Sequence, residues 1–263
     1  MTITSWPQFA RRIRPGRTDL LRELPRYPNS ILVAGCQRSG GTMLAAAFTE
    51  HPDVVDFSWG KDAELDAALT LSGTQAPETT LPVGKRFCFQ TTYLNERGIE
   101  YPTHAEHFHL IWLIRNPHSV IYSMLYNWKR FALNEVFLAC GAELLPAAER
   151  ARLQRWGLFG VRPIKRACYA YLGKLQQGNW LMETLPDDRM MTLRYEDLVT
   201  HKAAMMKSLG DFVGLAPAEA GEKISTRSMK KAQGLGTRER RIVDELCGPG
   251  YERAMAESIR LQP

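Results

Sequence analysis

The chain has 263 residues, 44% of them hydrophobic and 24% charged, which is ordinary globular usage and argues against wholesale disorder or a fibrous repeat. Its length suits a single domain spanning residues 1–263. Lys and Arg total 34 against 28 Asp and Glu, a formal net charge of +6 that favours anionic ligands without choosing among phosphates, sulfates, nucleic acid or acidic sugars.

The five cysteines (Cys36, Cys88, Cys140, Cys168, Cys247) contain no CxxC pair and read as a reduced chain, not a disulfide framework or zinc ribbon. The basic N-terminal stretch lacks a following apolar region and a small-residue cleavage site, so it does not read as a secretion signal. The longest apolar runs fall far short of the ~20 residues that span a bilayer. A cytoplasmic protein with no membrane span is the expectation.

In chain order, the apolar run at 31–36 predicts a strand buried on both faces, followed by a helix over 42–50 that His51-Pro52 closes. A second strand is expected at 54–57. Residues 72–84, rich in Thr, Pro and Gly, predict a surface loop. Strands at 87–89 and 110–114 come next, then a helix from 117 to about 130 with Asn116 as N-cap and Pro117 at its first position. A long helix follows Pro163 and ends near Leu185. A strand at 190–193 precedes a helix after Thr200 that carries Met205, Met206, Leu209 and Phe212 on one face. This alternation predicts an α/β fold: a P-loop-like, mostly parallel central sheet with helices on both faces.

The most informative stretch is Gly35-Cys36-Gln37-Arg38-Ser39-Gly40-Gly41-Thr42, where a buried strand turns directly into a helix. Glycines let successive N–H groups and the helix start face an anion, and Thr42 adds a hydroxyl. Against the nucleotide pattern GxxxxGK[ST], Gly35, Gly40 and Thr42 match, but Gly41 stands at the lysine position. ATP and GTP hydrolases use that lysine on the β- and γ-phosphates, so an ordinary nucleotide triphosphatase is disfavoured.

Arg38-Ser39-Gly40-Gly41-Thr42 resembles instead the [RK]SGTT loop of sulfotransferases that use 3′-phosphoadenosine 5′-phosphosulfate (PAPS), with Gly41 replacing the first threonine. His51-Pro52-Asp53-Val54 is similar to the HPDV of protein-tyrosine sulfotransferases and many bacterial relatives. A second element is independent of the first: Arg115 ends a strand and Ser123 lies eight residues on, the form of the family's 3′-phosphate motif RNPxxxxxS. An arginine fork behind a helix start is suited to phosphate. Arg194-Tyr195-Glu196-Asp197-Leu198 resembles the family's YEDL segment, which would place Tyr195 near the adenine. Residues 225–231 resemble its TSFxxMK stretch, which would place Ser228 at the 3′-phosphate. The RKGxxG of cytosolic animal relatives is absent.

The resemblance implies transfer of a sulfuryl group from PAPS to a hydroxyl or amine, releasing 3′-phosphoadenosine 5′-phosphate (PAP), with no metal. Arg38 and the backbone amides of Ser39, Gly40, Gly41 and Thr42 would hold the transferring group. Tyrosine-sulfating relatives carry a glutamate soon after HPDV; here Asp62 and Glu64 are nearest, and Glu64 is the expected base. Gln90-Thr91-Thr92 falls where others carry KTP or KTH and offers no base. The alternatives are a P-loop small-molecule kinase and a catalytically silent PAP- or nucleotide-binding protein. A metal at His104, His107 and His109 is disfavoured because their spacing matches no standard ligand set. The run Trp128-Lys129-Arg130-Phe131 reads as a charged helix end, not a nucleic-acid contact. A small molecule, sugar, lipid or peptide could equally be the acceptor, with specificity expected from residues 57–86 and 126–162.

Overall fold

The computed structural model describes residues 3–13, 19–56, 62–75, 84–92, 100–216 and 224–257. A five-stranded sheet lies at its centre, with strands β1 Ser30–Gly35, β2 Val54–Asp56, β3 Arg86–Gln90, β4 Phe108–Ile114 and β5 Met190–Arg194. All are parallel, in the order β2-β3-β1-β4-β5. Each strand expected from the sequence is present, with ends shifted by no more than two residues; Phe57 lies outside the described residues.

The strands read as solid apolar runs because both faces of the sheet are covered. Along β1, Leu32 and Ala34 enter the larger core while Ile31 and Val33 enter the smaller one. The helices are α1 Trp6–Ile13, α2 Gly41–Phe48, α3 Ala63–Leu71, α4 Pro117–Tyr126, α5 Arg130–Val136, α6 Ala147–Trp156, α7 Pro163–Thr184, α8 Tyr195–Thr200, α9 Lys202–Val213 and α10 Thr237–Glu257. The larger core takes side chains from α3, α4, α7 and α10, and the smaller from α2 and α9.

Several boundaries differ from expectation. Asn116 caps α4 as expected, its Oδ1 accepting from the His118 N–H at 3.0 Å. That helix, however, stops at Tyr126: Asn127 leaves helical geometry, Lys129 is extended, and the chain restarts as α5. The break leaves Trp128 in a bend instead of on a helix face. Of the loop expected over 72–84, residues 76–83 fall outside the described residues. Helices α3, α6 and α10 are not among the elements expected from the sequence. Helix α6 buries none of its residues, so it has no apolar stripe to read.

The carboxyl ends of the central strands converge. Gly35, Gln90, Ile114 and Arg194 end β1, β3, β4 and β5, and the segments that follow them form a crevice where open parallel sheets bind ligands.

Candidate active site

Strand β1 leaves the sheet at Gly35, where φ is +126° and a Cβ would stand 2.4 Å from the Leu113 carbonyl oxygen of β4. Only glycine permits that departure. Three residues on, Arg38 adopts a left-handed φ of +73°, a conformation that costs a residue with a Cβ about 1–2 kcal/mol. Its neighbours hold it there. Arg115 Nη1 donates to the Arg38 carbonyl at 3.2 Å, Arg38 Nε donates to Ser123 Oγ at 3.0 Å, and Gln37 Nε2 ties the loop to the Thr92 carbonyl at 3.0 Å. The sequence assigned Arg38 and Ser123 to separate anion sites; the fold makes them direct partners.

Helix α2 begins at Gly41, so the N–H groups of Gly41 and Thr42 belong to a first turn with no preceding intrahelical carbonyl. Within the expected amide row, the Ser39 N–H donates to the Cys36 carbonyl at 3.1 Å, because the loop closes a turn there. The Ser39 hydroxyl is buried with no hydrogen-bond partner among the described residues, a cost that a bound anion would remove. Gly40 has φ of +103°, and a Cβ on it would lie 2.5 Å from the Tyr195 ring, so the loop rests directly on that ring.

Arg115, at the end of β4, is 2% exposed and stacks over the same ring, 4.0 Å from its centroid. The Tyr171 hydroxyl donates to the Arg115 carbonyl at 2.9 Å, and Glu196 accepts from the Asn116 N–H at 3.0 Å. Burial lowers the Arg115 pKa, opposed by Tyr195 and Glu196 and reinforced by Arg38. Lys231, from the 3-10 segment Thr226–Gly234, lines the cleft with Arg38 and Arg115. Burial first, then the repulsion of those two arginines, holds its pKa down. Three cations thus line one cleft, an arrangement that favours an anion. The side chain of Ser228 lies outside the described residues.

The cleft is also lined by Glu64, Gln90, Thr92 and Trp128. Asp62 is not part of this lining: it caps α3, accepting from the Leu65 N–H at 3.2 Å and from Trp6 Nε1 at 2.8 Å. The carboxamide of Gln90 occupies the space beside Gly41, where a Cβ would lie 3.3 Å from Nε2. The Thr92 carbonyl accepts a second bond from the fully buried Lys174 at 3.3 Å. Burial pushes the Cys36 thiol up despite nearby Lys174, so Cys36 is not a thiolate nucleophile.

Gln90, Trp128 and Lys231 therefore join a site the sequence did not assign to them. The signal for Trp128 was hidden by the helix expected to run through it. The three close histidines diverge: His104 pairs with Asp19 at 2.6 Å, His107 with Glu106 at 3.2 Å, and His109 meets the Phe212 ring and Arg86. Among the described residues there is no group of three or more His, Cys, Asp or Glu able to hold a metal ion.

A family model described as the sulfotransferase domain matches residues 28–241. A search of curated protein sequences finds no match. Among solved structures, the fold resembles the sulfotransferase domain of the curacin biosynthetic pathway, at 16% identity and a TM-score of 0.52 over 88% of this chain and 97% of that one. It also resembles a sulfotransferase from Alicyclobacillus acidocaldarius, at 13% identity and 0.54 over 87% and 94%. A mouse sulfotransferase complexed with PAP aligns at 12% identity and 0.52 over 92% and 94%. These likenesses establish the P-loop-like α/β fold, while the family match extends across the β1 loop, the Arg115 segment and the β5 end. The chain belongs to the sulfotransferase domain family and is a sulfotransferase, of a family that uses PAPS.

Proposed function

We propose that the chain, acting as one α/β unit over residues 1–263, transfers a sulfuryl group from PAPS to a hydroxyl or amine of an acceptor and releases PAP. The observation that carries this is the union of Arg38, Arg115 and Lys231 in one cleft with the first turn of α2. PAPS supplies an activated sulfuryl group and two anionic ends, and these residues are suited to both.

In this reading Arg115, Ser123 and Lys231 take the 3′-phosphate, and Ser228 is assigned with them from its motif. Tyr195 supplies a ring near the adenine and a floor for the loop. Arg38, the amides of Gly41 and Thr42 and the hydroxyl of Thr42 hold the 5′ end in line and stabilise charge on the leaving oxygens. Gly40 lets the loop approach closely. Glu64 accepts the proton of the acceptor, a contribution typically worth ~10²- to 10⁴-fold in rate. It lines the same cleft as Arg38, whereas the capping bonds of Asp62 suit a structural role. Arginine carries the positive charge that a metal would otherwise supply, so the reaction is expected to run without Mg²⁺.

Glu64 and Trp128 come from the two stretches where acceptor specificity was expected, and with Gln90 and Thr92 they would form the acceptor end of the cleft. A small molecule, sugar, lipid or peptide would each offer a suitable nucleophile. No helix among the described residues is long and apolar enough to cross a membrane. Together with free cysteines, this supports placing the protein in the cytoplasm.

Thermal unfolding with PAP, with ATP plus Mg²⁺ and with neither tests the reading. A ligand at 100 times its Kd adds about 2.7 kcal/mol, several degrees of melting temperature. Stabilisation by PAP without metal is expected. Stabilisation only by ATP plus Mg²⁺ would transfer the site to a kinase reading, and PAP binding without turnover on any acceptor would leave a silent binding protein.

A further inference from the structure

The turn between α6 and α7 carries a feature unrelated to the cleft, since none of its residues lines it. Phe159 is 101% exposed and Trp156 60% exposed. This exposure is built into the backbone. Gly157 takes φ of +57°, and Gly160 is pressed against helix α6, where a Cβ would stand 2.4 Å from the Arg152 carbonyl oxygen. Val161 N–H donates to the Leu158 carbonyl at 3.3 Å, and Leu158 packs on the core. A closed turn thus sends Leu158 inward and holds Phe159 outward.

The surroundings are cationic. Residues 143–166 contain six Lys or Arg against two Glu. Arg150, Arg152, Arg155 and Arg162 are exposed, Arg155 lies 5.1 Å over the Trp156 ring, and Glu149 is paired with Lys165. Two exposed aromatic rings in a segment rich in exposed arginines suit a headgroup layer: the rings enter the boundary with the acyl chains while guanidinium groups meet lipid phosphates. A protein partner would need about 800 Å² of surface per side, far more than two rings offer.

We propose that the α6–α7 turn is a reversible anchor for anionic phospholipid surfaces, seated through Trp156 and Phe159 with Arg152 and Arg155 supplying the attraction. It acts from the aqueous side, needs no spanning segment and is independent of the reaction in the cleft.

Co-sedimentation of the full chain with phosphatidylcholine vesicles, with and without about 30% phosphatidylserine, tests it. Binding only to the anionic vesicles is expected, fading as salt rises from about 0.1 M to 1 M and the screening length falls from about 10 Å to 3 Å. Phe159→Ala and Trp156→Ala should each weaken binding roughly tenfold, in step with the apolar surface removed. Arg152→Gln with Arg155→Gln should abolish the preference for anionic lipid. Because these side chains are exposed, unfolding midpoints should stay at the wild-type value, and PAP stabilisation should be unaffected. No binding at low salt, or binding indifferent to the two aromatic substitutions, would overturn the proposal. So would a lipid-free dimer, seen by sedimentation equilibrium, that Phe159→Ala dissociates, since the tip would then belong to a contact between copies.

Discussion

The carboxamide of Gln90, at the end of β3, fills the space beside Gly41 that a threonine side chain would need: a Cβ on Gly41 would stand 3.3 Å from its Nε2. The loop's departure from the family pattern and the residue ending β3 are therefore coupled. Gly41→Thr adds the missing hydroxyl but displaces Gln90. Turnover should fall about tenfold in Gly41→Thr and in Gln90→Ala, with the double variant clearly better than the product of the two. A double-mutant cycle on initial rates measures this, and simple additivity would show the two positions to be independent.

Arg38 combines a left-handed backbone with a side chain that donates to Ser123 Oγ and lines the cleft. Arg38→Ala should lose about 100-fold or more in turnover with the fold intact. Arg38→Gly should lose as much while gaining up to about 1 kcal/mol in denaturant stability, because glycine accepts that φ. Near-normal turnover in either would remove Arg38 from the mechanism.

Gly40 and Tyr195 share one surface. Gly40→Ala forces a methyl group against the ring at positive φ, and about 1–3 kcal/mol of destabilisation should accompany weakened PAP binding. Tyr195→Phe keeps the ring under Arg115 and should retain stability, whereas Tyr195→Ala empties a buried site and should cost about 3–5 kcal/mol. Urea titration with and without PAP separates the two effects.

His109 has its pKa lowered to about 4, first by burial and then by Arg86. The unfolded chain would take up this proton near 6.5, so between these values the unfolded state binds more protons. Stability should be full above pH 6.5 and decline as pH falls towards 4. His109 is only half-buried, and solvent screening leaves about 1 kcal/mol of effect. His109→Gln should flatten that part of a pH-stability profile; an unchanged profile would assign the loss to other groups.

The strands, the loop from Gly35 to Thr42 and the Arg115–Ser123 pair were legible in the sequence because each is local. Burial on both faces writes an unbroken apolar run, a tight turn onto an anion demands glycines, and an arginine and a serine eight residues apart are fixed by one strand and one helix. The sequence already preferred Glu64 to Asp62 as the base; what the fold adds is that Glu64 lines the cleft, while one oxygen of Asp62 caps α3 and the other accepts from Trp6. The contacts of Gln90 with Gly41 and of Tyr195 with Gly40, and the gathering of Lys231 with two arginines in one cleft, join residues far apart in the chain. Such contacts arise where separate strands end side by side. No local pattern encodes that meeting, and tertiary packing alone decides it.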